Sequence, residues 1–266
     1  MLYLCIIPNH GARIGHQTHE YFVFNAYCKK FNFNYVYHPF IGNSKSFEKI
    51  LNFKNLHNFC FENIKNIDNI EIINLETIKN DLHNNLLNCH LSEKNICVFG
   101  PVCTNEEIMK SIDAQINLND IIEIKKYHRT ELCGKYPNLV SINKNHEYMC
   151  IHIRAGDIIN SESRYLDINY FIDKYNYLIK KINKEKQYSV YIITENNFTG
   201  DKLIMENIPD AHIIKCNEID AFYYLVNSKY LIASRSGFSN LAYILGDMQV
   251  IKSPSDWNVY WDNIIE

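Results

Sequence analysis

The sequence predicts an α/β fold built from two Rossmann-like halves. Three observations carry this: short apolar runs of strand length, helical stretches alternating with them, and polar clusters where the runs end. With 266 residues the chain has room for one large or two compact domains. Apolar residues are 47% of it and charged residues 21%, which excludes a disordered chain and predicts a substantial core.

Taken in order, LYLCII gives a strand at residues 2–7, followed by a glycine-bounded turn and a helix over about 15–31. Residues 43–95 are polar and Asn-rich, with one weak strand at 71–75, and 96–99 form another strand closed by Gly100 and Pro101. A helical or loop region then runs to about residue 136. The domain change falls between residues 137 and 147, where PNLVSINKNHE lacks a helical period, giving domains of 1–143 and 144–266. The second half alternates strictly. Strands are predicted at 148–153, 188–194, 211–214, 230–233 and 248–251, with helices at 167–182, about 202–206, 220–228 and 239–245. Such alternation requires parallel strands with right-handed crossovers, and ligands of such sheets bind beyond the carboxyl ends of the strands.

Lys and Arg number 27 against 30 Asp and Glu, a net charge of -3, so no global field draws the chain to nucleic acid or to an anionic membrane. Any anion is held locally. The 9 cysteines are odd in number and scattered, without a CxxC pair, which predicts free buried thiols in a reducing compartment rather than disulfides or zinc. MLYLCIIPNH is too short for a membrane span and lacks a basic leader, so it reads as a first strand. The expectation is a cytoplasmic protein with no transmembrane segment; the lone sequon at Asn197 does not outweigh this.

Three polar clusters, HIRAGD, TENN and SRSGFS, stand at predicted strand ends of the second half and meet at one sheet edge. In IHIRAGD, His152 and Arg154 are two apart in extended chain and share a face. The planar fork of Arg154 suits a diphosphate, Gly156 permits a sharp turn, and Asp157 can orient Arg154 or accept from a sugar hydroxyl. The plainer alternative is a surface arginine beside a turn glycine. Ser234 to Asn240 opens a helix, so its backbone N–H groups can cradle phosphate; helix capping by Ser239 alone would also explain the pattern. No acidic pair stands at a strand end and His and Cys show no ligand spacing, so no metal is implied. In NHGARIGHQTHEY, the spacing of His10, His16 and His19 matches no zinc helix; a loop contacting substrate from the first domain is the better reading.

Together these segments resemble the GDP-fucose-dependent fucosyltransferase superfamily, which includes α-1,2-, α-1,6- and protein O-fucosyltransferases. His152, Arg154 and Asp157 match its HxRRxD pattern, with Ala155 for the second arginine, so no adjacent arginine backs Arg154. Arg13, Ile14, Gly15, His16 and Gln17 are similar to its GRxGNQ element, with Ala12 for glycine and His16 for asparagine. Ser236, Gly237, Phe238 and Ser239 resemble its Ser/Gly-Phe-Ser loop, Asp220 its base- or ribose-contacting aspartate, and Thr194 with Glu195 its Ser-Asp-like strand end. Order and spacing agree over most of the chain, while residues 43–144 carry no recognisable similarity.

The resemblance implies a GT-B-like fold of two facing Rossmann-like domains. The donor would lie in the second half and the acceptor in the cleft. It further implies metal-free, inverting transfer of fucose from GDP-fucose to a glycan hydroxyl, with no cofactor. The partners are then a nucleotide-sugar donor and a glycan acceptor. Arg154 would neutralise the leaving phosphate, and Asp157, Glu162 and His16 are candidate bases. Two alternatives fit the same segments: a double-Rossmann enzyme of another nucleotide sugar, or a nucleotide- or glycan-binding protein without turnover.

Overall fold

The computed structural model describes residues 1–8, 14–51, 53–64, 66–101, 147–155, 165–182 and 186–251, with short stretches between 108 and 126. Its internal contacts divide the chain into two compact units, Met1–Lys135 and Tyr136–Glu266. The change between residues 143 and 144 expected from sequence lies outside the described residues. Each unit holds a five-stranded sheet, and every strand pairing in both is parallel. The result is the expected α/β, GT-B-like class.

In the first unit β1 (Leu2–Ile7) leads into α1 (Ile14–Phe31), followed by β2 (Asn34–Tyr37), β3 (Phe59–Cys60), β4 (Ile70–Asn74), α2 (Leu82–Leu91) and β5 (Asn95–Pro101). The strand order is β3-β2-β1-β5-β4. Helix α1 buries twelve of its 18 residues, among them Tyr21, Phe22, Val23, Phe24 and Tyr27. It ends for a local reason. Asn32 takes the left-handed conformation at φ 57, and the Phe33 N–H reaches back to the Cys28 carbonyl at 2.8 Å while Asn32 N–H reaches Lys29. That six-residue closure satisfies the last carbonyls and turns the chain straight into β2. Tyr3, Cys5, Val36 and Cys97, from three adjacent strands, form one buried cluster with Ile64.

The second unit runs β6 (Tyr148–Ile153), α3 (Ile168–Lys181), β7 (Ser189–Thr194), α4 (Asp201–Asn207), β8 (Ala211–Ile214), α5 (Glu218–Val226), β9 (Tyr230–Ile232), α6 (Gly237–Leu245) and β10 (Gln249–Ile251). Its order, β10-β9-β6-β7-β8, follows five strands of the doubly wound Rossmann order. Wholly buried β6 lies at the centre, as a parallel strand covered on both faces must. Its Met149, Ile151 and Ile153 form a core cluster with Phe171, Ile192 and Ile204, each worth about 1.5–3 kcal/mol of burial. The chain goes from β6 out to β7 and β8 on one side, then returns to β9 and β10 on the other. The point where it changes sides lies between β6 and β9.

Candidate functional site

The strand order changes sides between β6 and β9, and an open parallel sheet binds ligands in the crevice outside the carboxyl ends of its strands at such a point. Arg154 leaves the end of β6 there, half-buried. Beside it His152 is only 7% exposed. Its Nδ1 is hydrogen-bonded to Ser239 Oγ and to Ser234 Oγ, the latter at 3.0 Å, and the two serine hydroxyls are 3.3 Å apart. This network ties β6, the exit from β9 and the first turn of α6 together across the crevice. Burial first and the Arg154 charge second push the His152 pKa down to about 3, so the imidazole is neutral. A neutral ring leaves Arg154 as the local positive charge without a second cation two residues away.

Helix α6 is capped differently from the expectation. Ser236, not Ser239, is the N-cap: its Oγ accepts from Phe238 N–H at 3.2 Å, and Ser239 lies inside the helix, fully buried. The Ser239 hydroxyl is instead taken up by His152, on the strand paired with β9. Of the amides at this helix start, Phe238 N–H is thus used by the cap, and Ser236 N–H donates to Ser234 O at 2.8 Å. Gly237 is the first helical residue. The Phe238 ring packs between His152 and Phe222, at 5.7 and 5.6 Å.

Along the same edge, Thr194 ends β7 with its side chain 6% exposed, and its Oγ1 has no hydrogen-bond partner among the described residues. A buried unpaired hydroxyl costs about 1–3 kcal/mol, an expense that a bound hydroxyl or phosphate oxygen can remove. Beyond β8, Asn217 caps α5 by accepting from Ile219 and Asp220 N–H at 3.0 Å each. Asp220 stands in that first turn, its Oδ2 accepting from Asn217 Nδ2 at 2.6 Å. His152, Arg154, Thr194, Asp220 and Ser236 to Ser239 therefore share one edge of the second sheet, as the strand-end rule predicts.

The elements expected at the N-terminus fall out otherwise. Arg13 and His10 lie outside the described residues, as do Gly156, Asp157 and Glu162. Gly15, His16 and Gln17 lie at the start of α1, where the helix was expected to begin, and Thr18 Oγ1 bonds back to the Ile14 carbonyl at 2.6 Å. Gln17, 1% exposed, accepts from Ile41 N–H at 3.1 Å and donates to Ile41 O and Ser44 Oγ. Its amide holds the segment after β2 against α1. His16, with 41% of its side chain exposed, faces the buried Glu20 at 3.9 Å one turn on. His19 is driven down to about 4, by burial first and by His16 second.

Among the described residues no group of three or more His, Cys, Asp or Glu could hold a metal ion, and no helix is long and apolar enough to cross a membrane. Seven described cysteines are free thiols, five of them buried. The pKa of Cys97 is pushed up to about 11 by burial, so that thiol is unreactive at neutral pH. One residue of this edge carried no expectation from sequence: Arg235, between Ser234 and Ser236 just past β9. Its signal was present in SRSGFS, but only the strand pairing shows that it exits beside Arg154.

No family model matches the chain, and no curated protein sequence matches it significantly. Among solved structures it is similar to the apo form of POFUT1, with a TM-score of 0.51 and 10% identity over 93% of this chain and 95% of that one. POFUT1 in complex with GDP-fucose gives 0.49 and 10%, over 92% and 95%. The E. coli heptosyltransferase WaaC with ADP gives 0.46 and 12%, over 96% and 88%. At such identities the likeness to apo POFUT1 is one of fold.

Proposed function

We propose that this chain is a glycosyltransferase that moves L-fucose from GDP-fucose to a glycan hydroxyl, with inversion and without a bound metal. The observation that carries the reading is Arg154 at the carboxyl end of the central strand, where the sheet order changes sides, beside a neutral His152. Support comes from the fold shared with POFUT1 and from the resemblance of the segments at His152–Arg154, Thr194–Glu195 and Ser236–Ser239, which follow neighbouring strands of the second sheet.

The chemistry asked of the protein is a single displacement. An acceptor oxygen forms a bond to the anomeric carbon while the bond from that carbon to the diphosphate oxygen breaks, its electron pair leaving with GDP. The developing negative charge is met by the Arg154 guanidinium, which can donate two parallel hydrogen bonds to phosphate oxygens, and by helix-start amides of α6. The acceptor proton passes to a base on the acceptor side, for which His16, Asp157 and Glu162 are the candidates. Thr194, Asp220 and the Ser236–Ser239 turn hold the nucleotide in this reading, with Gly15 and Arg13 on the acceptor-side unit and Gln17 supporting them from within α1.

Arg154→Ala tests it. Removing a preorganised charge from the leaving phosphate lowers kcat by about 10²–10³, with the circular dichroism spectrum and melting midpoint close to those of the wild type. Near-normal release of GDP by that variant would defeat the assignment.

A further inference from the structure

We propose that Arg235 is a second phosphate-binding cation, gripping the donor diphosphate from the strand next to Arg154. The proposal rests on reading the chain as a nucleotide-sugar transferase and adds a residue to that reading. A diphosphate carries at least two negative charges, and a lone guanidinium leaves one of them unanswered. The next residue along β6, Ala155, is 3% exposed and part of the core cluster, so nothing at that position can supply a charge.

The topology supplies one instead. Strands β6 and β9 are parallel neighbours in register, Ile151 opposite Ile232 on their last paired rung. Arg154 and Arg235 each follow that rung by three residues, so both chains leave the sheet on the two sides of the same crevice. The exits are fixed to one another by the His152 bonds to Ser234 and Ser239. On the β9 side, Ser236 N–H donates to Ser234 O at 2.8 Å, which closes a three-residue turn with Arg235 at its apex. Arg235 is half-buried, and its charge reaches the first turn of α3: burial lifts the Tyr170 pKa to about 12, and Arg235 opposes that rise. The first turn of α3 lies on the carboxyl side of the sheet, past the end of β6.

The other described cations of this unit are lysines, and none of them stands at the carboxyl ends of β6 and β9. Lys215, at the end of β8, donates to Asp201 at 2.8 Å and to Phe198 O at 3.0 Å. Lys186 and Lys229 both pair with Glu147, just before β6 begins and hence at the opposite edge. Lys202 pairs with Glu206, and Lys174, Lys180 and Lys181 lie along α3. Two arginines on adjacent strands, each a planar fork, suit neighbouring phosphate groups in a way that two flexible lysines would not.

The test is calorimetric binding on the full chain. Wild type, R235M, R235Q, R235K and R154A are titrated with GDP, UDP and dTDP, and with the nucleoside of whichever diphosphate the wild type binds best. The expected result is a loss of about 10- to 100-fold in diphosphate affinity for R235M and R235Q, partial recovery in R235K, and unchanged nucleoside affinity in all. Methionine keeps the length of the stem, so a fold defect in one neutral variant leaves the other to decide; melting midpoints identify which. Diphosphate binding at wild-type strength in the neutral variants, with R154A impaired, overturns the role of Arg235 and leaves the proposed function standing. Equal loss for nucleoside and diphosphate makes Arg235 a structural residue and also overturns it. A wild type that binds none of the three diphosphates removes the proposed function, and the second cation with it.

Discussion

His57 shows what burial does to a single ionisable side chain here. Its Nε2 shares a 2.9 Å hydrogen bond with the Tyr21 hydroxyl, and its ring packs against Tyr35 and Tyr37 at 4.8 and 5.7 Å. Desolvation lowers its pKa from 6.5 to about 4, and His19 and His152 are depressed likewise. A histidine whose folded pKa lies below its unfolded value favours folding fully above about pH 6.5. That contribution is lost as the pH falls toward the folded value, since the unfolded chain takes up the proton first. Stability should thus decline between about pH 6.5 and 4, and His57→Gln should make the decline shallower by roughly 1–3 kcal/mol. Urea midpoints at pH 7.5, 6 and 4.5 check this; parallel profiles for variant and wild type would count against it. The same scale shows what one chain's letters conceal. Gln17 and Ser239 sit at sheet edges and are polar, which is all that the sequence displays, whereas their partners, Ile41 and His152, are 24 and 87 residues away in the chain. A hydroxyl aimed at a ligand and one aimed at a scaffold histidine are spelled alike.

Elements were legible in proportion to how much of their stability is local. The strands at 2–7, 148–153 and 211–214 match the sequence reading residue for residue; the first two are buried parallel strands, which are continuous apolar runs bounded by turns. Helix α3 was legible from its apolar period and its cap, Asp167 accepting from Asn169 N–H at 2.8 Å. By contrast β2 was missed: NYVY is four residues long, and its existence depends on the left-handed Asn32 closure and on pairing with β1. Helix α2 was also missed. Its start, at left-handed Asp81, has no side-chain cap, and LHNNLLNCHL buries only Leu82 and Leu86. Contact between elements sets a sharper test at Gly246, where α6 ends. A Cβ there would come within 2.8 Å of the Ala242 carbonyl, 2.9 Å of the Val226 carbonyl at the end of α5, and closer still to the Met248 methyl. The methionine tip can swing aside, but the two carbonyls are backbone. Gly246→Ala therefore forces α5 and α6 apart at a cost of about 1–3 kcal/mol, read as a fall of several degrees in the melting midpoint. An unchanged midpoint would mean that the helix ends yield freely.

At the scale of the whole molecule, the second sheet's order and the -3 net charge bear on one question, how an anionic donor is held. No global field gathers an anion, so under the proposed function the affinity for the donor comes from the carboxyl edge of that sheet, and ligand stabilisation should report it directly. A ligand that binds only the native state adds RT ln(1 + [L]/Kd), about 2.7 kcal/mol at a hundredfold excess over Kd. For a chain of this size that is a rise of roughly 5–10 °C in the midpoint of the unit that binds. Under the proposed function GDP should give this rise, with smaller rises from UDP and dTDP. The shift should be the same in EDTA as in manganese, because Arg154, Arg235 and the amides of α6 supply the charge that a divalent ion would otherwise bring to the phosphates. The panel separates the layers of the proposal. Equal shifts from all three nucleotides would keep a diphosphate site and remove guanine as its base. A shift that appears only with manganese, together with turnover abolished by EDTA and restored by manganese, would overturn the metal-free mechanism. In that case the two arginines would share the phosphates with an ion, and the loss of affinity on neutralising either would shrink as manganese was raised.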